Sequence, residues 1–321
     1  MQAVAVKMQT FLLNGSQQAG VDTHDLPTQE QKKMKYCSLS VASLALLWYG
    51  AAHAQTENTS TNTSTWPAHN RYVALNLGQQ QQQYRELDTQ GLTTNGTLNA
   101  ETGRQQHLGA AVSYQTTSGW LLGLDAQRQT GATAYSGYLQ AGNGSLSPYA
   151  ARTGNVATRY SVHIGYGLNA DTWGAMPSTW QVTTLLQLSQ HHWQRNLAQY
   201  SEAYRHTTTA GGVRAQWQIK PGTVLEAQAL FGRTQPATVS VPAFGFEATQ
   251  GGGGRYQQWH LGITQDLGAA TGQAVLDGWR IAARYARSQY GHGASAVVNS
   301  LQAPPNEHHP SVWTLGLQKQ F

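Results

Sequence analysis

Residues 311–321 read Ser-Val-Trp-Thr-Leu-Gly-Leu-Gln-Lys-Gln-Phe, and no other stretch constrains the fold as tightly. Trp313, Leu315, Leu317 and Phe321 share one parity, and Thr314, Gly316, Gln318 and Gln320 share the other. A period of two describes a strand with one apolar and one polar face. A soluble sheet gains nothing from a final, exposed Phe. A strand that closes a transmembrane barrel does gain, because its terminal aromatic sits in an interfacial girdle.

Composition agrees with such a wall. Charged residues are 11% of the chain, against roughly 25% in soluble domains, and the polarity is carried by Gln, Thr, Ser, Asn and Gly. A barrel that avoids charge outside and is wet inside needs that balance. No run of 18 apolar residues occurs, which argues against spanning helices. The net charge is +5, but Lys7, Lys32, Lys33 and Lys35 lie in an N-terminal segment expected to be lost. Lys220, Lys319 and the arginines form no basic run, so no nucleic-acid partner is expected. The single cysteine, Cys37, precedes the apolar core of the leader, leaving no thiol for a disulfide or a thiolate metal site.

The leader occupies 34–54. Lys32, Lys33 and Lys35 supply a basic start, 39–49 an apolar core, and Ala52-His53-Ala54 a cleavage site before Gln55. Residues 1–33 are polar and unpatterned, which fits a non-native or extended N-terminal segment. Residues 55–68 are expected to be a disordered polar tail, and 69–321 the barrel.

Within 69–321, period-two segments alternate with turn chemistry, giving an all-β, antiparallel up-and-down barrel of about 10 strands, in a range of 8–12. The segments are 69–83, 104–117, 119–129, 155–169, 179–194, 204–219, 223–234, 255–267, 277–290 and 311–321. Short connections at 117–119, 169–178, 220–222 and 268–276 alternate with longer ones at 84–103, 130–154, 235–254 and 291–309, with a moderate one near 195–203. Short turns on one side of a membrane and long loops on the other follow. Trp120, Trp180, Trp217 and Trp279 fall at short-turn ends, and Trp259 and Trp313 near long-loop ends, as two aromatic belts would.

These features together resemble the outer-membrane β-barrels of Gram-negative bacteria. The resemblance is one of pattern across the barrel segment. The end of the chain resembles that family's assembly signal, with Thr314, Gly316 and the final Phe321 in place and Lys319 where an apolar residue is usual. The resemblance implies an outer-membrane location after export to the periplasm, and contact with lipopolysaccharide and other outer-membrane lipid. It also implies recognition by the barrel-assembly machinery.

Function is less legible. Inward parity holds Arg159, Arg214, Arg280 and Arg284 with Asp125, Glu226, Asp266, His163 and His260. Such a set lines an anion-favouring path for small solutes, or plugs a narrow barrel with ion pairs. The expected role is a small porin-like or structural barrel; the alternative is a binding barrel acting through its outer loops on surface ligands. No enzyme is expected. The barrel segment lacks the Asp-x-Asp and Asp-x-His pairs of omptin-like proteases, and most of its His take the lumen parity rather than the lipid face that outer-membrane lipases use. His191, His192, His308 and His309 are expected as solvated loop residues, with no metal and no cofactor.

Overall fold

The computed structural model describes residues 65–140, 145–169, 173, 176–197, 200–298 and 301–321. The segment 1–33, the leader with its Ala54–Gln55 cleavage site, and residues 55–64 of the polar tail lie outside them. In chain order the strands are β1 (Tyr72–Leu87), β2 (Thr97–Gln115), β3 (Trp120–Gln140), β4 (Leu146–Leu168), β5 (Trp180–Leu197), β6 (Tyr200–Lys220) and β7 (Thr223–Thr234). They continue with β8 (Ala237–Val241), β9 (Phe246–Gln250), β10 (Arg255–Asp266), β11 (Trp279–His292), β12 (Asn306–His308) and β13 (Ser311–Gln320).

Ten of these are staves of a closed antiparallel barrel: β1 to β7, then β10, β11 and β13. The seam is the β1–β13 ladder, with Leu75 opposite Leu317, Leu77 opposite Leu315 and Gln79 opposite Trp313. Stepping across register from Gln79 through β2 to β5 reaches Ala203 on β6. Stepping the other way through β13, β11, β10 and β7 reaches Ala215. The stagger is therefore twelve residues over ten strands. With a rise of about 3.3 Å per residue and about 4.8 Å between strands, the staves tilt by about 40°. The backbone cylinder is then about 10 Å in radius, narrow enough for side chains to fill.

The outward apolar positions form one band, in which Leu75, Leu108, Leu122, Ile164, Leu186, Leu261, Leu315 and Leu317 are all exposed. Cross-strand aromatic pairs bound it. Below lie Trp120 against Tyr166 and Trp180 stacked on Trp217, with Trp279 beside them in Lys319's reach. Above lie Phe231 against Trp259 and Tyr285 against Trp313. Paired rings of this kind mark the two membrane interfaces.

The outer connections differ from the sequence-based expectation. The strands do not stop at the upper girdle. Most of 84–103, 130–154 and 195–203 is strand: β1 and β2 leave only 88–96 between them, β3 and β4 pair up to Gln140↔Leu146, and β5 pairs with β6 up to Leu197↔Tyr200. Within 235–254, β8 and β9 form a hairpin that continues the wall beside Ala203–Arg205 of β6. Within 291–309, β12 bridges β1 and β11 above β13. The Gly-, Ser- and Asn-rich composition of these segments reads as loop, yet their backbone groups pair along edges the barrel already supplies.

The lower end is tight. At Pro221-Gly222 the chain turns with Gly222 at φ +77°, a conformation that favours a residue without Cβ. Between β10 and β11 lies the helix of one turn α2 (Leu267–Thr271), capped by Asp266, whose Oδ1 accepts from the Ala269 amide at 3.0 Å. The expected tail over 55–68 needs correction at its end. Residues Trp66–His69 form a short helix, α1, because Trp66 has an apolar site to enter and is buried.

Candidate functional site

The candidate site is the barrel interior, built as layers. At the bottom, α1 and the residues after it act as a stopper. Trp66 Nε1 donates to the Ser178 carbonyl at 3.1 Å. The Asn70 amide lies within hydrogen-bond reach of Gln115, Gln181 and Gln216, at 2.7, 2.8 and 3.1 Å, so one side chain ties β2, β5 and β6 together across the lumen. Arg280 donates to the His69 carbonyl and to Gln320 Oε1, each at 2.7 Å, with its Nε 3.6 Å from Asp266.

At membrane level the remaining charged candidates come together. Asp125 sits 3.4 Å from His163; Glu226 sits 3.8 Å from Arg214 and 3.5 Å from His260. Arg159 and Arg284 line the same cavity, as does Thr314. Inward glycines leave no channel here. The His163 ring lies over Gly123, where a Cβ would collide with it, and Arg284 and His260 crowd Gly262. The cavity left in the lumen is about 190 Å³, room for a small group of waters.

Above the girdle the interior changes character. His191 and His206 stack at 4.5 Å, His206 meets His292 at 4.5 Å, and His308 stacks on Tyr290 at 4.6 Å. These four histidines are buried, and among the described residues Nε2 of His206, Nε2 of His292 and Nδ1 of His308 have no hydrogen-bond partner. The expectation of solvated His191 and His308 is thus corrected: lengthened strands carry them inward. His192 and His309 stay partly exposed. The rings meet by faces and edges, and among the described residues no group of three His, Cys, Asp or Glu is arranged to hold a metal ion. Beyond the membrane span, burial pulls His308 well below the usual imidazole range, with His292 and His206 adding repulsion; burial also lowers His292.

The top layer centres on Arg195, whose side chain is 1% exposed. Its guanidinium reaches Glu86 at 3.1 Å, Glu202 at 2.9 Å and Glu101 in a closer contact still. It also lies over the rings of Tyr84 and Trp193, at 4.9 and 5.3 Å from their centroids. Supporting bonds complete the set: Tyr84 Oη donates to Glu86 at 2.7 Å, Thr133 Oγ1 to Glu101 at 2.8 Å, and Trp193 Nε1 to Asn155 at 2.8 Å. Burial pushes the Glu202 carboxyl up, and Glu86 and Glu101 push it further against the pull of Arg195. Around this knot Tyr84, Trp193, Tyr204, Val239, Val241, Phe246, Ala248, Leu301 and Ala303 form one apolar core. The β8–β9 hairpin is its roof.

No family model and no curated protein matches the chain. Among solved structures it is similar to the outer membrane protease OmpT of Escherichia coli, at 9% identity and a TM-score of 0.51, covering 83% of this chain and 100% of that one. Weaker likenesses include the translocator domain of the autotransporter NalP of Neisseria meningitidis (9% identity, TM-score 0.39, 87% and 96% covered). Another is Ail, the attachment invasion locus protein of Yersinia pestis (10%, 0.31, 78% and 99%). The fold is that of an outer-membrane β-barrel. At these identities the likeness is one of fold.

Sequence reasoning reaches the lower lumen of this barrel and misses the upper one. Arg159, Arg214, Arg280, Arg284, Asp125, Glu226, Asp266, His163 and His260 all face the lumen or its lower rim. Arg195, Glu86, Glu101 and Glu202 fall in stretches that read as loops. A change of apolar parity marks them: Leu186 and Leu188 face out on β5, whereas Trp193 and Leu197, on the other parity, are buried. Of the assembly-signal residues, Gly316 packs against Asn76, Lys319 Nζ donates to the Asp277 carbonyl at 2.8 Å, and the Phe321 amide faces the Arg71 carbonyl at 3.4 Å.

Proposed function

We propose that the chain is a sealed outer-membrane barrel whose work is done by its outer extension, as a structural or binding surface, and not an open porin-like channel. The observation that carries this is closure at both ends: the Arg195 knot and its apolar roof above, Trp66 and the Asn70 amide network below. A diffusion pore needs a continuous wet path, and cross-strand pairs here narrow the lumen to a cavity of about 190 Å³. The reading is non-catalytic: the outer carboxylates Glu86, Glu101 and Glu202 are held by Arg195, and Glu307, 3.5 Å from His309, is held at 3.0 Å by Arg85. Delivery by the leader at 34–54, and insertion through Thr314, Gly316 and Phe321 by the barrel-assembly machinery, belong to the same proposal.

Planar-bilayer recording of the refolded protein is the test. The expected result is no sustained open level, with conductance appearing when residues 237–250 are deleted together with the stopper at 65–70. A steady open level in the unaltered protein would sink the reading and restore the porin-like one.

A further inference from the structure

The lumen cavity carries a charge that its own ion pairs do not balance. Arg159, Arg214 and Arg284 line it against Asp125 and Glu226, leaving one positive charge in excess when histidine is counted neutral. Four of the lining groups come from adjoining strands. Arg214 on β6 is in register with Gln228 of β7, and Gln228 with His260 of β10. Glu226 on β7 is in register with Gly262 of β10, and Gly262 with Arg284 of β11.

Arg214 is the unusual member of the set. Its side chain is 5% exposed, and Glu226 stands 3.8 Å from its Nη1. Its Nε and Nη2 are buried and, among the described residues, have no hydrogen-bond partner. Those two nitrogens form the side-on edge of the guanidinium, whose parallel N–H bonds take both oxygens of a carboxylate. Arg159 Nε is likewise buried and unpartnered beside the same cavity. Water can enter a space of about 190 Å³ and satisfy such donors. It does not neutralise the excess charge, and a buried unbalanced charge costs more than a buried unpaired dipole. A small anion answers both needs.

We infer that the Nε–Nη2 edge of Arg214 seats a small, singly charged planar oxyanion of the carboxylate class inside the barrel. Its two oxygens accept from Nε and Nη2, and Arg159 stands on the same cavity as a second cation. The single charge follows from the count of lining groups. One negative charge makes the lumen neutral, whereas a divalent ion would leave a negative excess in its place. The site needs the cavity and its lining alone, so it holds whether or not the lumen conducts.

The test is to refold the full barrel in detergent over a series of radiolabelled acetate concentrations and count bound label after equilibrium dialysis. The unaltered protein should hold one acetate per barrel, and acetamide, of the same shape without the charge, should not displace it. Competition with nitrate separates two sources of such an ion: displacement assigns the edge to planar oxyanions in general, and its failure to carboxylates. Arg214→Gln should weaken acetate at least about tenfold, in line with the loss of charge-assisted bonds. Arg214→Lys keeps the charge but lacks the paired donors, and should weaken it too. Glu226→Gln enlarges the positive excess and should tighten binding, a change that mere loosening of the barrel would not produce. Arg128→Gln, on the exposed outer face, should bind as the parent does. Heat-modifiable gel mobility of every variant confirms that the barrel has formed. No acetate on the unaltered protein, displacement by acetamide, full binding by Arg214→Gln, or weaker binding by Glu226→Gln would each overturn the site.

Discussion

The same staves behave as two different materials below and above the outer girdle. Below it, β5 and β6 turn Leu186, Leu188 and Val213 to lipid and keep mostly polar groups inside, with Leu185 and Ala210 as the apolar exceptions. Above it, the same two strands turn Trp193, Leu197 and Tyr204 inward and leave Gln194 and Arg205 outside. The lower part is a lipid-facing wall round a largely polar lumen; the upper part is a sheet wrapped round an apolar core with one buried ion knot. The change of solvent outside the wall forces the change of parity along it. Charge follows the same division. Lower ion pairs are loose, at 3.4 to 3.8 Å, and line a cavity of about 190 Å³ that reaches up to the histidine layer. The upper knot is more compact, with Arg195 within 3.1 Å of Glu86 and 2.9 Å of Glu202.

If the two parts are energetically distinct, breaking the upper one should leave the lower one standing. Arg195→Met is the largest such test. It strands Glu86, Glu101 and Glu202 in a buried site without their cation, and losing one partner of a buried ion set costs about 3–5 kcal/mol. The expected outcome is loss of hydrogen-exchange protection and new protease cleavage in β8, β9 and 84–103, with heat-modifiable mobility unchanged. Loss of the whole barrel would show that the extension is part of one cooperative unit with the span.

The sequence makes the lower part legible because lipid imposes one rule on every stave: apolar residues at alternate positions, aromatic at both ends. Ten strands, both girdles and the membrane-level lumen residues follow from that rule. The upper part obeys another rule, and a reader tracking outward apolar residues sees the pattern end and infers a loop. Tyr84 and Trp193 are the clearest cases, each an aromatic on the inward parity of a stave whose apolar residues had faced out. The knot itself was not readable, since Glu86 and Glu101 come from one connection, 84–103, Arg195 and Glu202 from another, 195–203, and only the closure of the barrel brings the two together. The hairpin roof was hidden for a related reason. Its strands are five residues each, and Pro242, Gly245 and the 251–254 glycines around them are loop residues by composition.

Acid should separate the two parts more gently. Burial holds His308 and His292 below their ordinary pKa near 6.5. A depressed folded-state pKa contributes stability that is present above the unfolded value and lost as pH falls toward the folded one. Glu202 acts with the opposite sign: its raised pKa favours the folded extension at low pH and disfavours it as pH rises. More histidines than carboxyls are shifted this way, so the extension should loosen as pH falls below about 6.5, with on the order of tenfold more opening per unit of depression. Fluorescence of Trp193, read against a W193F background, should change over that range while heat-modifiable mobility does not. Replacing His308 with Gln should flatten the profile. An unchanged profile in that variant would show that the imidazole layer does not report on the upper core.

The smallest effect is expected at the lower rim, where Lys319 occupies an outward position among apolar neighbours. Its ammonium reaches the Asp277 carbonyl and lies 5.2 Å from the Trp279 ring centroid, so the side chain has turned to the interface and is not held in lipid. Lys319→Leu gives up one exposed hydrogen bond and one exposed cation–π contact, about 0.5–1 kcal/mol each at most, and gains apolar contact with lipid of similar size. Assembly yield and the heat-modifiability midpoint should therefore stay within error of the parent. Deleting Phe321 removes the interfacial aromatic itself, and outer-membrane levels should drop. If instead Lys319→Leu fails to assemble while the Phe321 deletion inserts normally, the lower rim is held by its cation, and the lipid rule that explains the rest of the span stops short of its last strand.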